Sequence, residues 1–279
     1  MVGTMLNSET GTIVPHGKLK TISPPVASDA RIILGVRVSV YSKQTALERV
    51  AKAIASSHHL KIAFLNAHGA NVAWVDDEYV QGLLNFDVLA DGIGVDMGSL
   101  INYGSKFPDN LNGTDFIPAL FDHLCPGKKV ALLGAAPGVA EAAAANLQAE
   151  FPKHQFSVVA HGFFSTQEEK AILDDLKSSK PDILLVALGN PAQEKWIASN
   201  CSIGNCTVAI GVGAYLDFAA GRVPRAPEIL RKLRIEWAYR LWLEPTRMWK
   251  RYMVGNPLFL LRSFMQKLGH KHRGLGRHK

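Results

Sequence analysis

The stretch KVALLGAAPGVAEAAAANLQAE, residues 129–150, passes from an apolar run through a glycine-rich turn into an alanine-rich segment. Residues 129–133 are predicted to form a buried strand, because they make a short, almost uninterrupted apolar run. Residues 139–150 are predicted to form a helix, since alanine has the highest helix propensity. A strand that leads directly into a helix is the building unit of a parallel sheet.

The same alternation of apolar runs and helical patterns continues on both sides of this stretch. Further strands are predicted at residues 32–40, 61–65, 87–90, 156–160, 183–187 and 207–210. Further helices are predicted at residues 44–56, 70–84, 167–178 and 192–199. We therefore predict an α/β fold with a Rossmann-like body built on a parallel sheet.

The pattern changes near Gly221. From about residue 227 onward the sequence is helical in pattern and rich in Arg and Trp, and Pro245 and Pro257 are expected to interrupt the helices. The predicted organisation is a flexible leader (1–30), an α/β body (31–221) and a C-terminal helical appendage (222–279).

Charge is unevenly distributed along the chain, whose formal net charge is +7. Residues 222–279 carry 15 Lys and Arg against three Glu, whereas the residues before them carry 16 against 21 Asp and Glu. A mildly acidic body followed by a strongly basic segment points to a nucleic acid, an anionic membrane or another acidic partner. A solvated surface helix is the alternative.

Composition also bears on the compartment. The three cysteines are odd in number and match no metal-ligand spacing, so a reducing compartment is expected rather than a disulfide framework. The first 30 residues contain no signal-peptide core, and no run of about 18 apolar residues occurs. A cytoplasmic location is therefore expected. The ten histidines form no ligand cluster, although His68 and His161 follow predicted strands, and neither a metal nor another cofactor is expected.

Asn66 and Asp91 each follow a predicted strand, Asp91 within the segment LADGIG. Ligands of open α/β sheets bind beyond the C-terminal ends of the strands, so both side chains are expected at one crevice. Gly92 and Gly94 allow a sharp turn and a close approach to a ligand. Asp91 is a candidate general base, and an Asx turn that caps the next segment is the alternative.

Two glycine-containing turns are candidates for binding phosphate. Gly134 and Gly138 are the first and last residues of GAAPG, which lies at the start of a helix, where backbone N–H groups bind anions. The turn lacks the GxGxxG spacing and also resembles the glycine-rich turn of methyltransferases that bind S-adenosylmethionine; tight strand–helix packing is the alternative. Gly211 and Gly213 close the last strand, where a diphosphate or a base could approach, or where the chain simply bends.

The segment GNPAQEKW, residues 189–196, follows the apolar run 183–188. Asn190 is predicted to cap a helix that has Pro191 in its first position. Gln193 and Glu194 then fall in the first turn at the same crevice, and both are candidate binding residues. Capping explains Asn190 and Pro191 without a function, and Glu in a first turn also suits the helix dipole.

In the C-terminal segment, aromatic residues alternate with Lys and Arg. This pattern is typical of an interfacial segment that binds anionic lipid. RNA binding is the rival interpretation, because aromatic rings stack on bases and cations meet phosphates, and packing of the aromatics on the body is the third. The apolar run LFLL, residues 258–261, favours lipid.

Taken together, the ordered motifs resemble the WecG/TagA/CpsF family of bacterial glycosyltransferases (glycosyltransferase family 26) over residues 32–262. The motifs are ADGIGV (90–95), NGTDF (112–116), LLGAAPG (132–138), GNPAQEKW (189–196), GVGAYLDFAAG (211–221), RAP (225–227) and EWAYRLWLEPTRMWKRY (236–252). The resemblance implies transfer of a hexose or N-acetylhexosamine, of the N-acetylmannosamine or glucose type, from a UDP-sugar to a polyprenyl-diphosphate-linked sugar. It implies inversion, no essential metal and a role in the biosynthesis of an exopolysaccharide or cell-surface polysaccharide.

The resemblance also assigns residues. The family's catalytic base falls on Asp91, and its active-site Asn and Gln fall on Asn66 and Gln193. An Arg often found just before the family's GxD element is absent here, and Asn110 stands about where it would fall. The family's basic appendage engages the membrane and completes the active site, with candidates here at Arg225, Arg234, Arg240, Arg247 and Arg251.

We therefore expect a transferase at the inner face of the membrane, whose partners are the UDP-sugar, the lipid-linked acceptor and anionic lipid. Apolar surface on the appendage would also permit a homo-oligomer. The rival function is a nucleic-acid-binding protein or an RNA methyltransferase that uses S-adenosylmethionine, and a non-catalytic membrane scaffold is the third.

Overall fold

The computed structural model describes residues 30–227 and 236–269. It begins with an antiparallel hairpin of β1 (Ala30–Ile33) and β2 (Val36–Ser39), which is separate from the main sheet. The prediction of one strand over residues 32–40 is therefore wrong. The chain reverses because Leu34 and Gly35 both adopt positive φ angles, the backbone conformation of tight hairpin turns.

The main sheet has six parallel strands in the order β4-β3-β8-β7-β5-β6. Its strands are β3 (Leu60–Leu65), β4 (Asp87–Ala90), β5 (Lys129–Gly134), β6 (Gln155–Ala160), β7 (Ile183–Ala187) and β8 (Val208–Gly211). The two central strands, β7 and β8, are apolar along their whole length because helices cover both faces of the sheet. The predicted α/β fold with a parallel sheet is confirmed.

Helices connect these strands. They are α1 (Lys43–Ala55), α2 (Ala67–Ala73), α3 (Asp77–Gly82), α4 (Gly92–Tyr103), α5 (Gly113–His123), α6 (Val139–Glu150), α7 (Thr166–Ser179), α8 (Ala192–Asn200) and α9 (Tyr215–Ala219). One side of the sheet is covered by α1, α5, α6 and α9, and the other by α2, α3, α7, α8 and the hairpin. The body is thus a three-layer sandwich.

Two differences from the predicted helices affect the site. The predicted helix 70–84 is divided, because Asp76 caps a new helix by accepting a hydrogen bond from the backbone N–H of Tyr79 at 2.9 Å. Helices α4 and α5 were not predicted, since both begin with glycine, which weakens the helical pattern. Asn112 starts α5 by accepting a hydrogen bond from the N–H of Asp115 at 2.9 Å.

The C-terminal segment forms α10 (Glu236–Leu243), α11 (Pro245–Trp249), a π-helical turn (Lys250–Val254) and α12 (Gly255–Lys267). Pro245 opens α11, as expected of a residue that interrupts a helix. The break expected at Pro257 is wrong, because Pro257 lies in the first turn of α12, where a missing N–H is tolerated. Within the described residues, no helix is long and apolar enough to cross a membrane.

Helix α12 packs on the body against α2 and α4. Phe259 is almost fully buried, and a Cβ atom added to Gly98 of α4 would lie 2.7 Å from its Cζ atom. The side chain of Gln266 bonds to the hairpin, accepting from the N–H of Leu34 at 2.9 Å and donating to the carbonyl of Ile32 at 2.7 Å. The C-terminal helix therefore rests on the two helices that follow β3 and β4.

Candidate active site

Asn66 and Asp91 are brought side by side by the pairing of β3 with β4. Leu65 and Ala90 are register partners at the carboxyl ends of these strands, and the N–H of Asp91 donates to the carbonyl of Leu65 at 2.9 Å. Because the strands are parallel, the residues that follow them emerge at the same edge of the sheet. The sequence predicted this edge as the site, and the two side chains are in contact there.

The side chain of Asn66 has two partners. Its Oδ1 accepts from the N–H of Gly69 at 3.1 Å and so caps α2, while its Nδ2 donates to Oδ2 of Asp91 at 3.2 Å. Asp91 occupies the cap position of α4, but its side chain does not cap that helix. The Asx-turn alternative for Asp91 therefore has no support, and its carboxylate is oriented by Asn66.

Asn110 holds the backbone beside Asp91. Its Oδ1 accepts from the N–H of Gly92 at 2.6 Å, and the next residue, Leu111, donates its N–H to the carbonyl of Ala90 at 2.8 Å. Gly92 has a φ of +87°, which a residue with a Cβ rarely adopts. An Arg side chain could not replace this bond, because it has no acceptor atom.

Asn190 does not cap α8, so this prediction is wrong. The helix begins at Ala192, Pro191 is its cap residue rather than its first position, and no side chain caps it. The Nδ2 of Asn190 instead donates to the hydroxyl of Tyr79 at 2.5 Å and to Oε2 of Glu194 at 3.0 Å. Nothing in the sequence around Tyr79 marked it as part of the site, because it belongs to a different helix far away in the chain.

Gln193 and Glu194 are both buried beneath this edge. Gln193 donates from Nε2 to Oε1 of Glu194 at 2.8 Å, and its Oε1 accepts from the N–H of Gly213 at 2.9 Å. A Cβ atom on Gly211 would lie 2.9 Å from Nε2 of Gln193, so a larger residue at this strand end would displace the Gln193 amide. Burial raises the pKa of Glu194 to about 7.

The two clusters meet at Gly69. A Cβ atom on Gly69 would lie 3.5 Å from Nδ2 of Asn190 and 3.5 Å from the hydroxyl of Tyr79, while its N–H bonds to Asn66. The first turn of α2 therefore separates the pair Asn66–Asp91 from the network around Glu194 by a single glycine.

The two glycines of the GAAPG turn have different surroundings. Gly134 has a φ of +119°, and an added Cβ would lie 2.4 Å from the carbonyl oxygen of Ala187 on β7. Close strand packing therefore accounts for Gly134. Gly138 is exposed, has a φ of +79° and would bring an added Cβ into open space at the start of α6. Gly138 thus stays a candidate for phosphate binding.

The predicted arginines divide into two groups. Arg225 forms an ion pair with Asp115 and donates to the carbonyl of Thr114 at 2.9 Å, so it contacts the NGTDF motif. The side chains of Arg240 and Arg247, and the whole of Arg234, lie outside the described residues. Burial lowers the pKa of His68 on α2, and the charge of Arg251 lowers it further, which places that arginine near the first helix of the site.

His161 lies at the end of β6, where its Nδ1 accepts from the N–H of Phe163 at 3.2 Å. Among the described residues, no three His, Cys, Asp or Glu side chains are grouped closely enough to hold a metal ion.

Residues 31–273 match the WecG/TagA/CpsF family of glycosyl transferases. The chain belongs to this family. This chain is 34% identical over 216 residues to an N-acetylglucosaminyldiphosphoundecaprenol N-acetyl-beta-D-mannosaminyltransferase of Staphylococcus aureus. The matched region covers 74% of this chain and 80% of the relative. The chain is 32% identical over 202 residues to the Bacillus subtilis protein of the same name, covering 72% and 77%.

Membership in the WecG/TagA/CpsF family makes this protein a glycosyltransferase. The family predicted from the ordered motifs is confirmed. The strand ends that carry Asn66, Asp91, Gln193 and Gly213 belong to adjacent strands of one sheet, so the motifs that identify the family also converge in space.

Proposed function

We propose that this glycosyltransferase moves an N-acetylhexosamine or hexose from a UDP-sugar to a polyprenyl-diphosphate-linked sugar, with Asp91 as the general base. The observation that carries the proposal is the contact of Asp91 with Asn66 at the carboxyl edge of the sheet. Both relatives are named for N-acetylmannosamine as the sugar transferred and a lipid-diphosphate N-acetylglucosamine as the acceptor. Their names favour N-acetylmannosamine over glucose as the donor sugar.

The reaction is a direct displacement. Asp91 takes the proton of an acceptor hydroxyl, the hydroxyl oxygen forms a bond to the anomeric carbon, and the bond from that carbon to UDP breaks on the opposite face. The configuration at the anomeric carbon is thereby inverted. General-base assistance of this kind contributes about 10²–10⁴-fold in rate.

The departing diphosphate needs positive charge or hydrogen-bond donors. Helices α2, α4, α6 and α8 all begin at this edge, and the positive ends of their dipoles favour a bound anion. Exposed Gly138 offers backbone donors at the start of α6, and Arg225 and Arg251 add cations. We propose that these groups, together with Arg240 and Arg247, stabilise the negative charge of the departing diphosphate, as a metal ion does in other transferases.

The basic, aromatic C-terminal segment is proposed to hold the enzyme at the inner surface of the membrane. Trp242, Leu261, Phe264 and Leu268 are each more than half exposed, which is unusual for large apolar side chains. Aromatic and apolar residues interleaved with cations suit the interface of an anionic bilayer.

The test is a donor screen with the purified full-length chain. UDP-N-acetylmannosamine, UDP-glucose and UDP-N-acetylglucosamine are each incubated with a short-chain polyprenyl-diphosphate N-acetylglucosamine, and the anomeric configuration of the product is read by NMR. We expect inverted product from the first donor, with activity that persists in EDTA. Stabilisation of the protein by S-adenosylmethionine and not by UDP in a thermal-shift assay would instead support the methyltransferase alternative.

A further inference from the structure

The carboxyl group of Glu194 is shielded from ligands and bonded on both sides. The residue is 1% exposed, Oε1 accepts from Gln193 at 2.8 Å and Oε2 accepts from Asn190 at 3.0 Å. A group so enclosed acts only through its neighbours.

Those neighbours belong to the turns that follow two adjacent strands. Gln193 follows β7, and its Oε1 accepts a hydrogen bond at 2.9 Å from the N–H of Gly213, which follows β8. Asn190 also donates to the hydroxyl of Tyr79, and its buried Oδ1 has no hydrogen-bond partner within the described residues. One carboxyl group thus sets the orientation of two amide side chains and of the turn at Gly213.

The network needs the ionised form of Glu194. A carboxylate accepts hydrogen bonds on both oxygens, whereas a carboxylic acid presents one O–H donor, which would face an N–H donor of Gln193 or Asn190. Burial raises the pKa of Glu194 to about 7, so both forms exist near neutral pH.

The charged and titratable groups on the surrounding elements leave Glu194 to titrate largely by itself. Lys195 of the same helix bonds to Asp76 and Glu78 of α3 at 3.0 and 2.5 Å. Lys61 of β3 donates to the carbonyl of Ala198 at 3.0 Å. Tyr79 of α3 stays neutral near pH 7, since its pKa is raised by burial and by Glu194.

We propose that Glu194 is a positioning residue, whose carboxylate fixes the side chains of Gln193 and Asn190 and, through Gln193, the Gly211–Gly213 turn that receives the diphosphate of the donor. The proposal rests on the transfer reaction proposed above, because the diphosphate is that of the UDP-sugar.

The first test compares Glu194→Gln with the wild type in UDP binding. An amide has one acceptor oxygen, so one of the two donors loses its partner while the side-chain volume is kept. We expect the Kd for UDP to rise about tenfold at pH 8 and the ratio of the two Kd values to approach one at pH 6, where the wild-type carboxyl group is itself protonated. Because the ratio cancels the titration of UDP, a pH-dependent ratio isolates Glu194.

Glu150→Gln is the matched control. Glu150 is exposed and is the last residue of α6, at the end of that helix away from the candidate site, and its substitution should leave the Kd within twofold of wild type at both pH values. The melting temperature of each variant checks folding. Should Glu194→Gln not fold, Glu194→Asp keeps the charge but retracts it by one methylene, and the same tenfold loss is expected at pH 8.

The second test exchanges the two groups. In the double variant Asn190→Asp and Glu194→Gln, the carboxylate at position 190 accepts from Tyr79 and from the new amide, whose oxygen accepts from Gln193. We expect UDP affinity to return to within about threefold of wild type, which a merely structural loss would not allow.

A readout without ligand completes the design. Hydrogen exchange of the Gly213 amide should be faster in Glu194→Gln and slow again in the double variant. The proposal is overturned if folded Glu194→Gln exchanges and binds as the wild type does at pH 8, or if the double variant is no better than the single one. Failure of the proposed function would look different: the wild type would transfer no sugar, or would not bind UDP, while the exchange pattern at Gly213 would still report on the network.

Discussion

Asn66 donates a hydrogen bond to Asp91 at 3.2 Å while its other side-chain atom, Oδ1, caps α2. One amide therefore joins the start of a helix to the carboxylate proposed as the base. The orientation of the amide is fixed by the cap, because only Oδ1 can accept from the N–H of Gly69. One side-chain atom thus caps a helix while another bonds to the proposed base, and substitutions can test the two contacts separately.

Asp91→Asn should keep the fold and lose most of the turnover. The new side chain retains an oxygen that can accept from Asn66, but it cannot take a proton, so we expect the transfer rate to fall by about 10²–10⁴-fold. The initial rate with the active donor and the melting temperature are the measurements. Asp122→Asn, an exposed aspartate near the end of α5, is the control. A rate within tenfold of wild type would remove Asp91 from its role.

Asn66→Asp separates the two functions of this residue. A carboxylate still accepts from the N–H of Gly69, so the cap of α2 should be kept. Its negative charge beside Asp91 raises the pKa of the base, and we expect the acidic limb of the rate profile to move to higher pH. Asn66→Ala brings no charge but removes the cap, and it should lose about 1 kcal/mol of stability. Equal rate profiles for Asn66→Asp and the wild type would contradict this arrangement.

Glu194 should make the protein less stable as the pH rises. Its pKa is about 7 when folded against an ordinary value of 4.5, so between these values the folded state holds a proton that the unfolded chain has released. The free energy of unfolding therefore falls by roughly 3 kcal/mol as the pH rises from about 4.5 to 7. Above that range the contribution of Glu194 no longer changes.

Urea unfolding of the wild type and of Glu194→Gln at pH 5 and pH 8 tests this sign. Relative to the wild type, the glutamine variant should become more stable between pH 5 and pH 8 by roughly 2.5 kcal/mol, most of that span, since an amide does not titrate. The comparison removes the contribution of His59 and His68, whose pKa values are lowered by burial in both proteins. An unchanged difference between pH 5 and pH 8 would mean that Glu194 is not shifted.

Gly98 and Phe259 should be coupled across the contact between α4 and α12. Gly98→Ala places a methyl group 2.7 Å from the ring of Phe259, and we expect a loss of about 1–3 kcal/mol in the free energy of unfolding. Phe259→Leu replaces the ring by a shorter side chain that leaves room for the methyl group. The double variant Gly98→Ala and Phe259→Leu should therefore lose less free energy of unfolding than the two single variants lose together.

Urea unfolding of the four proteins in this cycle measures the coupling. Gly255→Ala is the control, because an added Cβ there meets its nearest atoms at ordinary contact distances, 3.7 and 3.8 Å, in a helical backbone. Strict additivity of the two substitutions would show that α12 does not pack on α4 in solution.

The sequence by itself determined the parallel sheet and the edge that carries the candidate site. Residues 183–187 are apolar throughout, as expected of a strand that is covered on both faces, and the predicted bounds are those of β7. Polar residues and glycines directly after such runs must emerge at one edge of a parallel sheet. Asn66, Asp91 and the turns at Gly134 and Gly211 could therefore be assigned to one place from local pattern alone.

Only the tertiary structure decided which side chains meet. Asn190 carries the signature of a helix cap, but it bonds instead to Tyr79, 111 positions away, and to Glu194. The contact of Gly98 with Phe259 and the hairpin at Leu34 likewise depend on partners that periodicity does not reveal. Apolar periodicity reports which face of an element is buried, whereas a hydrogen bond between distant residues depends on how whole elements are placed. For that reason the sequence placed Asn66 and Asp91 at one edge of the sheet, whereas only the fold showed that the Asn66 amide donates to the Asp91 carboxylate.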